Sequence, residues 1–144
     1  MRYFIDTNVF IFLCEETDRL VPEVKAIARD YENQLIMSVE SVREILMLIK
    51  SGKMNPKIWK SYEDIKEKIN EHGIEIRYIT ESHVKALSRL VPATEHSDPA
   101  DLMIISQAIA EKIPLISSDT KFPFYTKQGL SFVSNQRKKR NTAC

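Results

Sequence analysis

Acids that close an apolar strand or open a buried helix are costly unless hydrogen bonds or a cation receive them, and this chain has several in such places. Asp6 ends the apolar run Tyr3-Phe4-Ile5 and opens the phrase Asp6-Thr7-Asn8. Asp119 ends a second run, Ile113-Pro114-Leu115-Ile116-Ser117-Ser118. In open α/β sheets ligands bind outside the carboxyl ends of the strands, so both carboxylates stand where chemistry is done. Each also has a structural reading, because Asp caps helices and shapes turns. For Asp6 that reading is weakened by Thr7 and Asn8, either of which can cap the following helix and leave the Asp6 carboxylate without a structural task.

Glu40 and Glu44 lie one helical turn apart in the stretch from Ser38 to Met47 and share a face. The pattern does not choose between them, and a salt-bridged surface explains either. His96-Ser97-Asp98-Pro99-Ala100-Asp101 is the densest site. Asp98 reads as an N-cap and Pro99 as the first helical residue. Asp101, three residues past the cap, is placed for a capping box, yet such boxes favour Glu or Gln. The helix behind it is nearly all apolar, with Leu102, Met103, Ile104, Ile105, Ala108 and Ile109. His96 reads as a surface loop residue rather than a ligand. If three of these acids gather at the carboxyl ends of the central strands, their charges repel and raise one another's pKa values unless a cation binds among them. Hard oxygen ligands without a thiolate or a convincing histidine select Mg²⁺ or Mn²⁺ over Zn²⁺. Such an ion polarises a phosphate and lowers the pKa of a bound water, and phosphodiester hydrolysis is the reaction this chemistry serves.

The elements that must position these acids follow from periodicity and punctuation. Apolar strand-like runs fall at 3–5, 35–37, 74–79, 115–116 and, more weakly, 131–133. Helical patterns fill the gaps at 9–14, at 21–31 with Pro22 in the first turn, from near Ser38, at 81–90 and at 99–111. Ile58, Tyr62, Ile65 and Ile69 recur at helical spacing, so 56–71 reads as one amphipathic helix stopped by Gly73, with Trp59 beside its stripe. Strands alternating with helices predict a mostly parallel sheet covered on both faces. Residues 1–135 read as one domain and 136–144, which carries Gln136-Arg137-Lys138-Lys139-Arg140, as a flexible basic tail.

Composition narrows the classes. Lys and Arg total 21 against 20 for Asp and Glu, so the net charge of +1 provides no bulk attraction to nucleic acid or an anionic membrane. Any basic surface is local. Cys14 lies in an apolar stretch and Cys144 is the last residue, a usage that fits a reducing cytosol and neither a disulfide framework nor a thiolate metal site. No signal-peptide pattern opens the sequence and no apolar run approaches the roughly 18 residues of a spanning helix, so a soluble cytoplasmic protein is expected.

The residues resemble a known family. Asp6-Thr7-Asn8-Val9 after a short strand, Ser38 followed six residues later by Glu44, the run from Asp98 to Ala108, and Ser117-Ser118-Asp119 resemble a PIN domain, more narrowly the VapC-like ribonuclease toxins of bacterial toxin–antitoxin pairs. The resemblance spans nearly the whole chain. It implies an α/β/α sandwich around a central, mostly parallel sheet of four to five strands, with four acids that hold Mg²⁺ or Mn²⁺ and cut RNA. By motif these are Asp6, Glu44, Asp101 and Asp119, with Asp98 as an auxiliary acid or cap. It chooses Glu44 over Glu40, because the family acid follows the small polar residue at this interval. Thr7, Asn8 and Ser118 are the implied supports, acting by hydrogen bonds behind the acids. The basic residue usual after the third acid is Leu102 here. Implied partners are RNA, a cognate antitoxin and a second copy of the chain, with the Trp59 helix a candidate antitoxin contact. Three rivals share some of these features. A haloacid-dehalogenase-like phosphatase needs a second Asp where Asn8 stands, and a receiver domain pairs two acids after its first strand. A catalytically silent PIN-like module binding RNA or protein keeps the acids without cleavage.

Overall fold

The structure, a computed structural model, describes residues 1–96 and 98–137. Ser97, the basic run Lys138-Lys139-Arg140 and the terminal Cys144 therefore lie outside the described residues. Five strands, β1 (Arg2–Ile5), β2 (Gln34–Ser38), β3 (Glu75–Arg77), β4 (Leu115–Ser117) and β5 (Phe132–Ser134), form one sheet in the order β3-β2-β1-β4-β5. Every pairing is parallel. The helices are α1 (Thr7–Glu15), α2 (Pro22–Arg29), α3 (Val39–Lys50), α4 (Tyr62–Glu71), α5 (Glu81–Arg89) and α6 (Pro99–Glu111), joined by 3₁₀ segments at Thr17–Arg19 and Phe122–Gln128.

Alternation along the strands divides the core between the two faces. Ile5, Leu35, Met37 and Ile116 pack with Val9, Phe10, Val24, Ile45, Ile65 and Ile69 on one side. Phe4, Ile36 and Leu115 pack with Ile104, Ile105, Ala108, Phe122 and Tyr125 on the other. A strand with both faces covered has no polar face, which is why these runs read as continuously apolar. Each fully buried Ile or Phe contributes about 1.5–3 kcal/mol, so both layers hold the sheet firmly. Cys14 sits within the first layer, and burial pushes its thiol up to about 12, which keeps it protonated and unreactive at neutral pH.

The helix expected at 56–71 is shorter. It starts at Tyr62, where Ser61 and Asp64 form a capping box, with Asp64 Oδ2 accepting the N–H groups of Lys60 at 2.8 Å and Ser61 at 3.1 Å. Gly73 ends it as expected, at φ 61. Trp59 is accordingly not on a helix, nor is it a contact surface. It is 2% exposed, packs on Phe10 at 6.0 Å between ring centroids and donates its Nε1–H to Glu15. An indole with a buried partner for its N–H is a core residue.

At the far end of α6 a buried histidine fastens the layers. His83 Nδ1 accepts the N–H of Thr80 at 3.0 Å, so its proton is on Nε2, which reaches Glu111 Oε2 at 2.7 Å. Glu111 also takes Arg77 Nη1 at 3.1 Å, joining β3, α5 and α6. His83→Ala should strand these groups at a cost of about 1–3 kcal/mol and lower Tm by roughly 5 °C in a thermal melt. An unchanged Tm would show that the network contributes nothing to stability.

Candidate active site

The sheet's strand order reverses direction between β1 and β4, the two central neighbours, and crevices form at such switch points. Asp6 follows β1 and Asp119 follows β4. Register places Ile5 opposite Ile116, so the next residues, Asp6 and Ser117, are side by side. Asp6 is 5% exposed. Its Oδ1 accepts the N–H of Val9 at 2.8 Å, which makes Asp6 itself the N-cap of α1. The expectation that Thr7 or Asn8 would cap this helix is thereby corrected: Asp6 caps with one oxygen and keeps the other for the pocket. That second oxygen accepts the hydroxyl of Ser117. Ser117 Oγ in turn accepts the N–H of Asp119 at 2.9 Å, so one buried hydroxyl bridges the two acids. The signal for Ser117 was its place in register with Asp6, which no local pattern reveals.

Asp98 caps α6 through Ala100 N at 2.9 Å and Asp101 N at 3.3 Å. The Asp101 carboxylate does not close a capping box but meets His96 Nε2 at 3.3 Å. His96 is 4% exposed, and the reading of it as a surface loop residue is wrong. It packs against Phe122 and Tyr125. Ligand atoms of His96, Asp101 and Asp119 lie within 4.8 Å of one another. On α3, Glu40 is occupied by Arg43, which donates Nε at 3.0 Å and Nη2 at 2.9 Å. Glu44, half-buried, acts on Asp101 through its charge.

The supports implied by resemblance are placed otherwise. Thr7 donates to Ser41 at 2.9 Å, tying α1 to α3, and Asn8 is exposed. Ser118 bonds Asn135 at 2.8 Å rather than an acid. Asn135, 5% exposed, was not singled out by sequence, yet it fastens one wall of the site. Its Oδ1 takes Val21 N at 2.8 Å and its Nδ2 reaches the Arg19 carbonyl at 3.2 Å. An open groove of about 520 Å³ runs from Asp119 past Asn8 and Asn135 to Arg19 and Arg137. Leu102 packs against the second core layer.

Electrostatics set this cluster apart. Burial pushes the Asp6 carboxyl up to about 7; the bonds from Ser117 and Val9 oppose the shift, and the charges of Asp101 and Asp119 add to it. Burial likewise raises Asp101 to about 6, with Asp98, Asp119 and Glu44 adding and His96 opposing. Mutually repelling, partly desolvated carboxylates suit a hard divalent cation, whose charge reverses the penalty. The donor set therefore fits Mg²⁺ or Mn²⁺.

Fold and pocket together define an α/β/α protein with an acidic centre at the switch point of a parallel sheet. The family model of the PIN domain matches residues 3–127, and the chain belongs to the PIN domain family. No curated protein matches it by sequence. Its fold is similar to VapBC2 from Rickettsia felis bound to a promoter DNA fragment, at 20% identity, with 93% of this chain and 98% of that one covered and a TM-score of 0.66. It is also similar to VapBC-1 from nontypeable Haemophilus influenzae, at 19% identity, 93% and 98% coverage and a TM-score of 0.65. VapBC-5 from Mycobacterium tuberculosis, a member of a family of toxin–antitoxin systems, shares 16% identity over 92% of this chain and 98% of that one, with a TM-score of 0.61. At such identities the likeness is one of fold. Among the described residues no helix is long and apolar enough to cross a membrane.

Proposed function

We propose that this PIN-domain protein is a metal-dependent endoribonuclease, the toxin of a toxin–antitoxin pair, with Asp6, Glu44, Asp101 and Asp119 as its catalytic acids. The observation that carries the reading is a gathering of acids with no cation of the protein's own. Among the described residues no Lys or Arg pairs with any of the four, while burial and mutual repulsion hold Asp6 and Asp101 well above the usual carboxylate range.

Asp6, Asp101 and Asp119 would hold Mg²⁺ or Mn²⁺, and Glu44 would join them or orient the attacking water. A bound ion of this kind supplies a polarised phosphate and an acidified water. Ser117 keeps the Asp6 carboxylate in one orientation, and Asp98 pins the first turn of α6 from which Asp101 projects. The positive end of the α6 dipole favours the anionic groups gathered there. Arg19 and Arg137 line the groove that leaves Asp119, where an RNA strand's phosphates find positive partners despite the chain's balanced charge. Because the similar solved structures include toxin–antitoxin complexes, a cognate antitoxin and a second copy of the chain are the expected protein partners, in the cytoplasm.

The test is cleavage of RNA by the purified protein with Mn²⁺ or Mg²⁺, stopped by EDTA. Glu44→Gln should lower the rate by about a hundredfold or more. Glu40→Gln should leave it unchanged, since it loses only the pair with the exposed Arg43, worth about 0–1 kcal/mol. No cleavage of any RNA with either ion would overturn the reading in favour of a silent binding module.

A further inference from the structure

His96 is a buried, titratable group for which the four-acid pocket has no use. Its two ring nitrogens face different partners: Nδ1 lies 2.6 Å from the Tyr125 hydroxyl and Nε2 lies 3.3 Å from Asp101 Oδ2. The tautomer follows from Tyr125. That hydroxyl already accepts the N–H of Ala93 at 3.0 Å, from the loop after α5. The side chain is fully buried, at 0% exposure, so the phenolic proton requires a buried acceptor. Among the described residues the acceptor in reach is His96 Nδ1. A neutral imidazole carries a single proton. With Nδ1 accepting, that proton is on Nε2 and is directed at Asp101.

The opposite tautomer fails on two counts. It would leave the Tyr125 proton with no partner, and it would aim the Nε2 lone pair at a carboxylate oxygen. Both are costly for a buried ring and a buried hydroxyl. The ring is also clamped, with Phe122 and Tyr125 at 6.0 and 5.5 Å between centroids. Tyr125 and Phe122 belong to the 3₁₀ segment after Asp119, so the same segment that follows one acid holds the residue that addresses another.

We propose that Ala93, Tyr125 and His96 form a hydrogen-bonded relay that fixes the Nε2–H tautomer of His96, and that His96 is thereby a positioning residue which holds Asp101 Oδ2 and presents the remaining carboxylate oxygen to the cation. The geometry is that of the outer partners behind a metal-ligating carboxylate, whose loss commonly lowers metal affinity by about 10–100-fold. Asp101 is partly exposed, at 23% of its side chain, in the first turn of α6, so packing alone leaves its carboxylate freedom to turn. A donor from a rigid, buried ring removes that freedom. The relay's role toward the ion rests on the acid-pocket reading, whereas the tautomer does not.

Two measurements test it separately. Long-range ¹⁵N–¹H spectra of ¹⁵N-histidine-labelled, metal-free protein at pH 8 read the proton's position directly. His96 should show a protonated Nε2 and an unprotonated Nδ1, and Tyr125→Phe should convert it to a mixture. A protonated Nδ1 with a bare Nε2, or a doubly protonated ring, overturns the relay. Mn²⁺ titration followed by electron paramagnetic resonance then reads the role. Tyr125→Phe, which keeps the packing ring, and His96→Asn should each raise the Kd for Mn²⁺ by about tenfold or more. The double variant should be no worse than His96→Asn alone, because both act on one path. Unchanged Mn²⁺ affinity in both single variants, with lowered melting temperatures, would reduce His96 to a core residue and overturn the proposal. The nuclease reading stands or falls on Asp6 and Glu44 instead, so either can fail without the other.

Discussion

Asp6→Asn should lower Mn²⁺-dependent RNA cleavage by about a thousandfold, equivalent to ~4 kcal/mol of lost transition-state stabilisation, with an unchanged circular dichroism spectrum. The amide keeps the shape and can still accept the Val9 N–H that caps α1, so the helix start survives. What is lost is a negative oxygen whose charge acts together with those of Asp101 and Asp119. The same substitution should not harm the metal-free protein, because a neutral amide is easier to bury than a carboxyl that burial has pushed up to about 7. Urea unfolding in EDTA at pH 8 should therefore find the variant at least as stable as the parent. Dead enzyme with an intact or firmer fold is the signature of a residue kept for chemistry. Full activity in Asp6→Asn would sink the assignment.

The second large effect is a reversal of the usual pH dependence. Most carboxylates in folded proteins are paired or hydrogen-bonded, have lowered pKa values and lose stability in acid, but burial raises Asp6 and Asp101 to about 7 and about 6, from the ordinary value of 3.8. In the native state they retain protons that the unfolded chain has released, so the metal-free protein loses stability as pH rises from about 4 toward 7 and levels off above it. For Asp6 the displacement is of the order of 4 kcal/mol, and the two acids, being coupled, do not add. A divalent cation cancels the penalty by favouring the charged forms. Saturating Mn²⁺ should thus flatten or invert the slope, and Mn²⁺ affinity should climb as pH passes through 6 to 7, where protons cease to compete. Thermal melts across pH, with EDTA and with Mn²⁺, measure both arms. A metal-free protein that grows steadily more stable from pH 4 to 7 would contradict the burial of these acids.

Much of this molecule was legible in one dimension. The apolar runs, the Pro99 start and Gly73 stop, and the alternation of strand and helix gave the parallel sheet and nearly every element, because each depends on neighbours a few residues away. The acids at strand ends were visible for the same reason. Local rules also misled. Periodicity extended the helix of Tyr62–Glu71 back to residue 56, where the capping box of Ser61 and Asp64 begins it later. Nothing in the neighbourhood of Trp59 or His96 announced that each finds a buried partner in another element, Glu15 for the one and Tyr125 for the other.

The sequence by itself determined the residue types, the elements that carry them, and the end of each strand at which an acid stands. Tertiary structure decided which of those acids meet. Strand order sets β1 beside β4, and register sets Asp6 beside Ser117, a pairing across 111 residues that no local period encodes. It also separated Glu40, taken by Arg43, from Glu44, whose charge reaches Asp101. Burial made the cluster expensive, and burial is a property of the packed molecule. Solvent exclusion and cross-strand proximity arise only when both layers close over the sheet, and these turn ordinary strand-end carboxylates into a cluster whose chemistry suits a cation.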